Sequence, residues 1–324
     1  MQPKRIASLL ASGTEILYAL GLGDRIVAVS HECDWPGEVA DKPRVTFTRV
    51  SHDTASRIID EQVRGMLAGG ASLYAVDMEQ LETLRPDLIV TQAQCDVCAV
   101  RYDDVVEAVE RSKRLHGTRV VALNPTRLEE VFRDMLLVGD AAAVFDQAKQ
   151  AVTGLRARVE RIRHAASKIA HSARPRVVCV EWVDPLMIAA NWTPELVELT
   201  GGRHELTKTG MHSQYARWED VLAYQPEVIV VAPCGFDLAR SQRELPLLAD
   251  RPGWNALPAV RAGRVYICDG NAYFNRSGPR LVDTLELLAH LIHPTRFAEP
   301  EWSRQREPVW RMAGERAEAL AAKP

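Results

Sequence analysis

A chain of 324 residues with 47% apolar content can bury two ordinary cores, and 40 Lys and Arg against 43 Asp and Glu leave a formal charge of −3 and a pI near 6.3. No run of Lys or Arg marks a nucleic-acid or anionic-membrane surface, and no uninterrupted apolar stretch reaches the roughly 18 residues that a membrane-embedded helix needs. A first strand beginning at Arg5 leaves no room for the regions of a signal peptide, so a cytoplasmic location is expected, a periplasmic one requiring a leader ahead of Met1.

In chain order, residues 5–10 read as a strand, and Ser12-Gly13-Thr14-Glu15 turns it into a helix that ends at Gly21-Leu22-Gly23. Residues 26–30 form a second buried strand that delivers His31-Glu32-Cys33-Asp34-Trp35-Pro36 at its C-terminal end. In open α/β sheets ligands sit at that end. Residues 43–77 read as an insertion with a helix over 58–67, ended by Gly69-Gly70. A helix over 77–84 feeds the strand Leu88-Ile89-Val90, and 102–115 is an amphipathic helix before a strand over 119–123. From 128 to 169 no Pro or strand signal appears, which predicts one long helix with room for a break near Gly139. Strands then follow over 176–181, 227–232 and 264–268, with a closing helix over 279–292.

One stretch occurs twice. Leu84-Arg85-Pro86-Asp87-Leu88-Ile89-Val90 leads to Cys95 and Cys98, and Tyr224-Gln225-Pro226-Glu227-Val228-Ile229-Val230 leads to Cys234. Each is a β-branched run of the kind buried on both faces of a parallel sheet. Seven residues ahead of each Pro stands a glutamate, Glu79 and Glu219. The starts of the halves also match, since Thr14-Glu15-Ile16-Leu17 after the first strand parallels Thr193-Pro194-Glu195-Leu196 in the second half, each Thr being expected to cap its helix. The fold class is therefore α/β: two Rossmann-like lobes with parallel sheets joined by a long connecting helix. Their limits read as an N-terminal lobe over 1–127, a helical connector over 128–172, a C-terminal lobe over 173–293 and a tail over 294–324.

This architecture, with Ser12-Gly13-Thr14-Glu15-Ile16-Leu17-Tyr18-Ala19-Leu20-Gly21, the Pro86-Asp87 strand and Trp192-Thr193-Pro194-Glu195, resembles the substrate-binding proteins of metal-chelate ABC importers. These motifs are similar to those of the cobalamin-binding branch of that group. The resemblance covers roughly residues 5–293 and implies a ligand cleft between the lobes. It further implies an ABC permease as partner, with Glu79 and Glu219 as the surface glutamates that dock on permease arginines.

The strand ends carry the remaining candidates. His31, Cys33, Cys95, Cys98 and Cys234 are candidate metal ligands, because two sulfurs at C-x-x-C spacing reach a common centre and thiolate charge matches a soft cation such as zinc or an iron-sulfur cluster. One thiolate or imidazole can instead ligate the metal of a bound chelate, and burial as a small hydrophobe is the plainer account of Cys179 and Cys268. In an oxidising compartment Cys95 and Cys98 can form a disulfide. Trp35, Trp182, Trp192, Phe236 and Tyr273 are flat amphipathic rings in strand-end loops, suited to walling a large planar ligand. Thr14, Glu15, Asn275 and Arg280 complete the candidate ligand-binding set.

The reading that follows is a binding protein for a corrinoid, cobalamin-like, or a related metal chelate. A cytoplasmic metalloprotein or enzyme with a Cys-rich metal or iron-sulfur site, using Glu15, Glu32 or Asp34 as acid or base, is the alternative, and a metal-ion chaperone without a large ligand is a third. No nucleophile motif, phosphate loop or His-Glu-x-x-His site is present, so no catalytic residue is assigned.

Overall fold

The computed structural model describes residues 2–93 and 100–312. These fall into two compact units. The first takes the chain up to Pro125 together with Glu129–Arg156 and Ser277–Pro279, and the second takes Thr126–Leu128, Ala157–Arg276 and the chain from Arg280 onward.

Unit 1 is built on an all-parallel sheet of β1 (Ile6–Ser8), β2 (Ile26–Val29), β5 (Leu88–Gln92) and β6 (Arg119–Leu123), in the order β2-β1-β5-β6. A separate antiparallel pair, β3 (Thr46–Thr48) and β4 (Tyr74–Val76), frames the inserted helix α2 (Ser56–Ala68). The other helices are α1 (Ala11–Ala19), α3 (Met78–Leu84), α4 (Tyr102–Arg111), α5 (Leu128–Ala141) and α6 (Phe145–Ala166). The apolar faces of α3 and α4 close on the sheet through Leu81 and Val105 against Ala7, Leu9, Ala28 and Ile89, all buried. Strands covered on both faces read as continuous apolar runs, which is why β5 was legible as a core strand.

Unit 2 carries a six-stranded sheet in the order β12-β11-β10-β7-β8-β9. Its parallel centre is β7 (Val177–Trp182), β10 (Val228–Val231) and β11 (Val265–Cys268). Antiparallel strands extend both edges: β12 (Val309–Arg311) on one, β8 (Met187–Ile188) and β9 (Gln214–Tyr215) on the other. Around it lie α7 (Thr193–Leu199), α8 (Trp218–Tyr224), the short α9 (Leu238–Glu244), α10 (Pro246–Ala249) and α11 (Pro258–Arg261), then α12 (Leu281–Ile292) and α13 (Glu301–Arg306).

Two local expectations are corrected. The span over 128–169 is not one continuous helix, and the break expected near Gly139 stands just after that residue. It is α5 and α6, parted at Ala142–Val144, with Ala143 at φ 56°. Gly139 makes the reversal possible, because a Cβ there would lie 2.4 Å from the Cβ of Ala148. The two threonines are not helix caps either. α1 begins at Ala11, so Thr14 sits inside it with its hydroxyl donating back to the Leu10 carbonyl at 3.4 Å. In α7, Trp192 holds the cap position and Thr193 is the first helical residue.

The duplicated stretch repeats in plan, with its hydrogen bonds differing in detail. Each first helix stops in the left-handed region, at Arg85 (φ 45°) and Gln225 (φ 52°). Arg5 Nε then donates to the Leu84 carbonyl at 2.7 Å, as Arg176 Nε does to that of Gln225 at 2.8 Å. The acid after the Pro closes the join: Asp87 accepts from the backbone N–H of Lys4 and Arg5 at 2.9 and 3.0 Å, and Glu227 from that of Arg176 at 3.0 Å.

Candidate functional site

In unit 1 the loop after β2 is tied inward. Arg44 donates to the carbonyls of Ser30 at 2.9 Å, of His31 at 3.4 Å, and of Cys33. His31 Nδ1 lies 2.7 Å from Thr46 Oγ1, and that hydroxyl donates its one hydrogen to Ser30 Oγ at 3.0 Å. The ring must therefore donate from Nδ1. Its Nε2 faces Glu32 Oε1 at 3.1 Å, and Tyr74 lies tilted against the ring at 5.4 Å. Cys33 is buried with Sγ 3.1 Å from Thr14 Oγ1; Thr14 and Glu15 are buried too, and Trp35 is half-buried. Both nitrogens of His31 and the thiol of Cys33 thus already have neighbours inside unit 1. Cys95 and Cys98 lie outside the described residues. Among the described residues no group of three or more His, Cys, Asp or Glu converges, so zinc or an iron-sulfur centre finds no donor set there.

The unit 2 candidates split into two groups. Trp182 and Phe236 meet with ring centres 5.0 Å apart, the Arg240 guanidinium lies 4.7 Å over Phe236, and Trp182 Nε1 donates to the Asp184 carbonyl at 3.2 Å. Beside them Cys234 is exposed, its N–H bonded to the Glu181 carbonyl at 3.0 Å. The second group braces the turn ahead of α12. Tyr273 stacks on Trp302 at 4.9 Å and receives Arg280 at 5.3 Å, while Trp192 Nε1 donates to the Phe274 carbonyl at 2.9 Å. Asn275 Nδ2 donates to the carbonyls of Ala232 and Gly270 at 3.1 and 3.0 Å. Trp192, Tyr273 and Arg280 keep less than a tenth of their surface exposed, so this group holds the loop in shape.

Sequence reasoning passed over a third region of unit 2. An open groove of about 790 Å³ runs between edge strand β9, the 205–212 loop and α8. Met211, Tyr215 and Tyr224 wall it, and Met211 and Tyr215 are 54% and 53% exposed. His212 lines it, with Lys208 and Arg217 as cations and Glu205 and Asp220 as anions. The loop is clasped to the sheet: Gly210 N–H donates to the Asn191 carbonyl at 2.9 Å, Asn191 N–H to that of Met211 at 2.7 Å, and Ser213 Oγ to Glu181 Oε2 at 2.8 Å. The available signal was the run Met211-His212-Ser213-Gln214-Tyr215, which fits neither helical nor strand alternation yet carries large side chains.

Glu79 and Glu219 hold equivalent places in the first turns of α3 and α8, both exposed. Glu219 lies 3.5 Å from Arg217, and its carboxyl is held below the ordinary value, first by its own backbone N–H, as suits an acid at a helix N-terminus.

No described helix is long and apolar enough to cross a membrane. The uncharacterized ABC transporter substrate-binding lipoprotein YvrC of Bacillus subtilis (strain 168) is 25% identical over 301 residues, 92% of this chain and 82% of that protein. The vitamin B12-binding protein of Photorhabdus laumondii is 23% identical over 294 residues, 90% of this chain and 88% of that one. The solved periplasmic vitamin B12 binding protein BtuF of Vibrio cholerae aligns with a TM-score of 0.64 and 22% identity, over 90% of this chain and 98% of that one. A periplasmic heme binding protein from Pseudomonas aeruginosa aligns with a TM-score of 0.71 and 21% identity, over 96% and 98%. These share the two-lobe α/β architecture described above. Residues 6–272 match the family model described as periplasmic binding protein, and the chain belongs to that family.

Proposed function

We propose that this chain is the binding protein of an ABC importer and that its cargo is a corrinoid, cobalamin-like, or a closely related metal chelate. The observation that carries this reading is the kinship, over nine-tenths of the chain, with a protein described as vitamin B12-binding. The chemistry of the strand ends is compatible with it. Trp182 keeps part of its indole exposed against the buried Phe236 ring, and an indole at a strand end suits contact with a large planar ligand. A haem-type chelate is the second reading, favoured by the likeness to the Pseudomonas aeruginosa structure.

Partner docking follows from the same reading. Glu79 and Glu219 stand exposed at repeat-related helix starts, where their carboxylates are open to arginines of a permease. Calorimetric titration with cobalamin, cobinamide and haemin tests the cargo. Saturable binding of a corrinoid is expected; binding of haemin alone would replace the cargo, and binding of none of the three would remove the reading.

A further inference from the structure

We propose that Trp302 is a positioning residue for the cargo: through Tyr273 and the turn Gly270–Phe274 it fixes the loop that carries Phe236, and with it the part-exposed indole of Trp182. This rests on the chelate-cargo reading above and names a part of unit 2, outside the strand ends, on which that reading depends.

The indole comes first. In α13, Glu301-Trp302-Ser303-Arg304-Gln305-Arg306, Trp302 is the one apolar side chain, so it decides what that short helix covers. Its ring stacks on Tyr273 with centres 4.9 Å apart and planes 23° from parallel, and its Nε1 donates to Glu286 Oε2 at 3.4 Å. Glu286 is itself fixed by the Arg158 guanidinium, through Nε at 2.9 Å and Nη2 at 2.7 Å. The indole is thus held both by its ring and by its N–H, and Tyr273 is left only 3% exposed.

The turn carries the constraint onward. Gly270–Phe274 follows β11 directly, and Asp269 caps it by accepting from the Ala272 N–H at 2.7 Å. Two bonds run from the turn and its closing residue to the loop after β10: Asn271 N–H donates to the Phe236 carbonyl at 3.0 Å, and Asn275 Nδ2 to the Ala232 carbonyl at 3.1 Å. Gly270 packs so close that a Cβ would lie 2.1 Å from the Pro233 carbonyl oxygen, so a shift of one loop displaces the other. The buried Phe236 ring then meets Trp182 at 5.0 Å.

Trp310 supplies the contrast within the same tail. It stands on β12 opposite Ile267 of β11 and packs against the core of the sheet. Trp310 therefore contributes to the stability of unit 2, whereas Trp302 bears on the shape of a cargo-facing loop. A wall held in shape before the ligand arrives lowers the ordering cost of binding, so loosening it weakens affinity while the fold stays in place.

Calorimetric titration with cobinamide and haemin, paired with amide hydrogen exchange, tests this. Trp302→Ala is expected to bind the chelate that wild type binds about fivefold more weakly, and to exchange faster at Asn271 and across 234–237. Trp302→Phe keeps the stack and loses the bond to Glu286, and is expected to bind within about twofold of wild type. Trp310→Ala is expected to melt earlier, with affinity and loop exchange unchanged. Should Trp302→Ala fail to fold, Trp302→Leu, which keeps apolar volume without a flat ring, carries the same expectation. Wild-type affinity in the Ala or Leu variant, or equal weakening by Trp302→Ala and Trp310→Ala, would overturn this inference and leave the cargo reading standing. Wild type that binds neither chelate would remove the cargo reading, and the role of Trp302 with it.

Discussion

The same hydrogen-bonded join of helix, Pro and strand stands in both units, at Arg85–Asp87 and at Gln225–Glu227, yet the sheets built on it end differently. Unit 1 stops at parallel β6, while unit 2 adds antiparallel β8 and β9 and opens a groove along the second of these. The shared part is scaffold and the edges differ: the unit 1 loop after β2 is tied inward by Arg44 and Thr46, whereas Met211, His212 and Tyr215 at the added edge of unit 2 are exposed. Duplication fixes the frame, and what is grafted on one copy sets the job.

The sharpest break of this comparison is expected at Gly270. A Cβ there would lie 2.1 Å from the Pro233 carbonyl oxygen, and backbone cannot move aside cheaply, so Gly270→Ala should lower stability in urea by about 3 kcal/mol. Gly37→Ala in the unit 1 loop meets nothing within 4 Å and should change stability by less than about 0.5 kcal/mol. Equal losses from both would mean the two loops are equally constrained.

Next in size, the units should respond to pH in opposite senses. Burial pushes His204 of unit 2 down to about 4 from 6.5, so its contribution is full above pH 6.5 and lost as pH falls toward 4, by up to about 3 kcal/mol. Burial pushes Asp134 of unit 1 up to about 7 from 3.8, so the folded state favours the protonated form and stability is lost as pH rises from about 4 through 7. Partial exposure limits that effect to about 2 kcal/mol. Melting curves from pH 4 to 8 should show His204→Gln flattening the acid limb and Asp134→Asn the neutral limb; unchanged profiles would contradict both assignments.

The repeated join itself should be unequal. Asp87 accepts from two backbone N–H groups and Glu227 from one, so Asp87→Ala should cost about 2 kcal/mol and Glu227→Ala about 1. Smallest of all on stability, Glu79→Ala and Glu219→Ala should leave the melting curve unchanged while together weakening assembly with a permease, measured by co-purification. A permease complex indifferent to both would remove the docking role.

Much of the frame was legible because buried parallel strands write themselves as apolar runs: Leu88-Ile89-Val90 and Val228-Ile229-Val230 announce β5 and β10 by composition alone. Strands β8 and β9, two residues each, were not, since they are too short for any alternation to register. The break near Gly139 was legible, but not that it separates two helices whose faces meet, since Gly139 acts through space on Ala148. Among the site candidates, aromatic residues at strand ends were found, but sequence could not separate Trp182, which keeps exposed surface, from Trp192 and Tyr273, which tertiary partners bury.

Equilibrium titration of the purified chain with cobinamide, followed by intrinsic tryptophan fluorescence, tests the central claim most directly. The account predicts saturable quenching, reduced in Trp182→Ala because that indole keeps exposed surface at a strand end. Fluorescence that stays flat while calorimetry also records no heat of binding would contradict it.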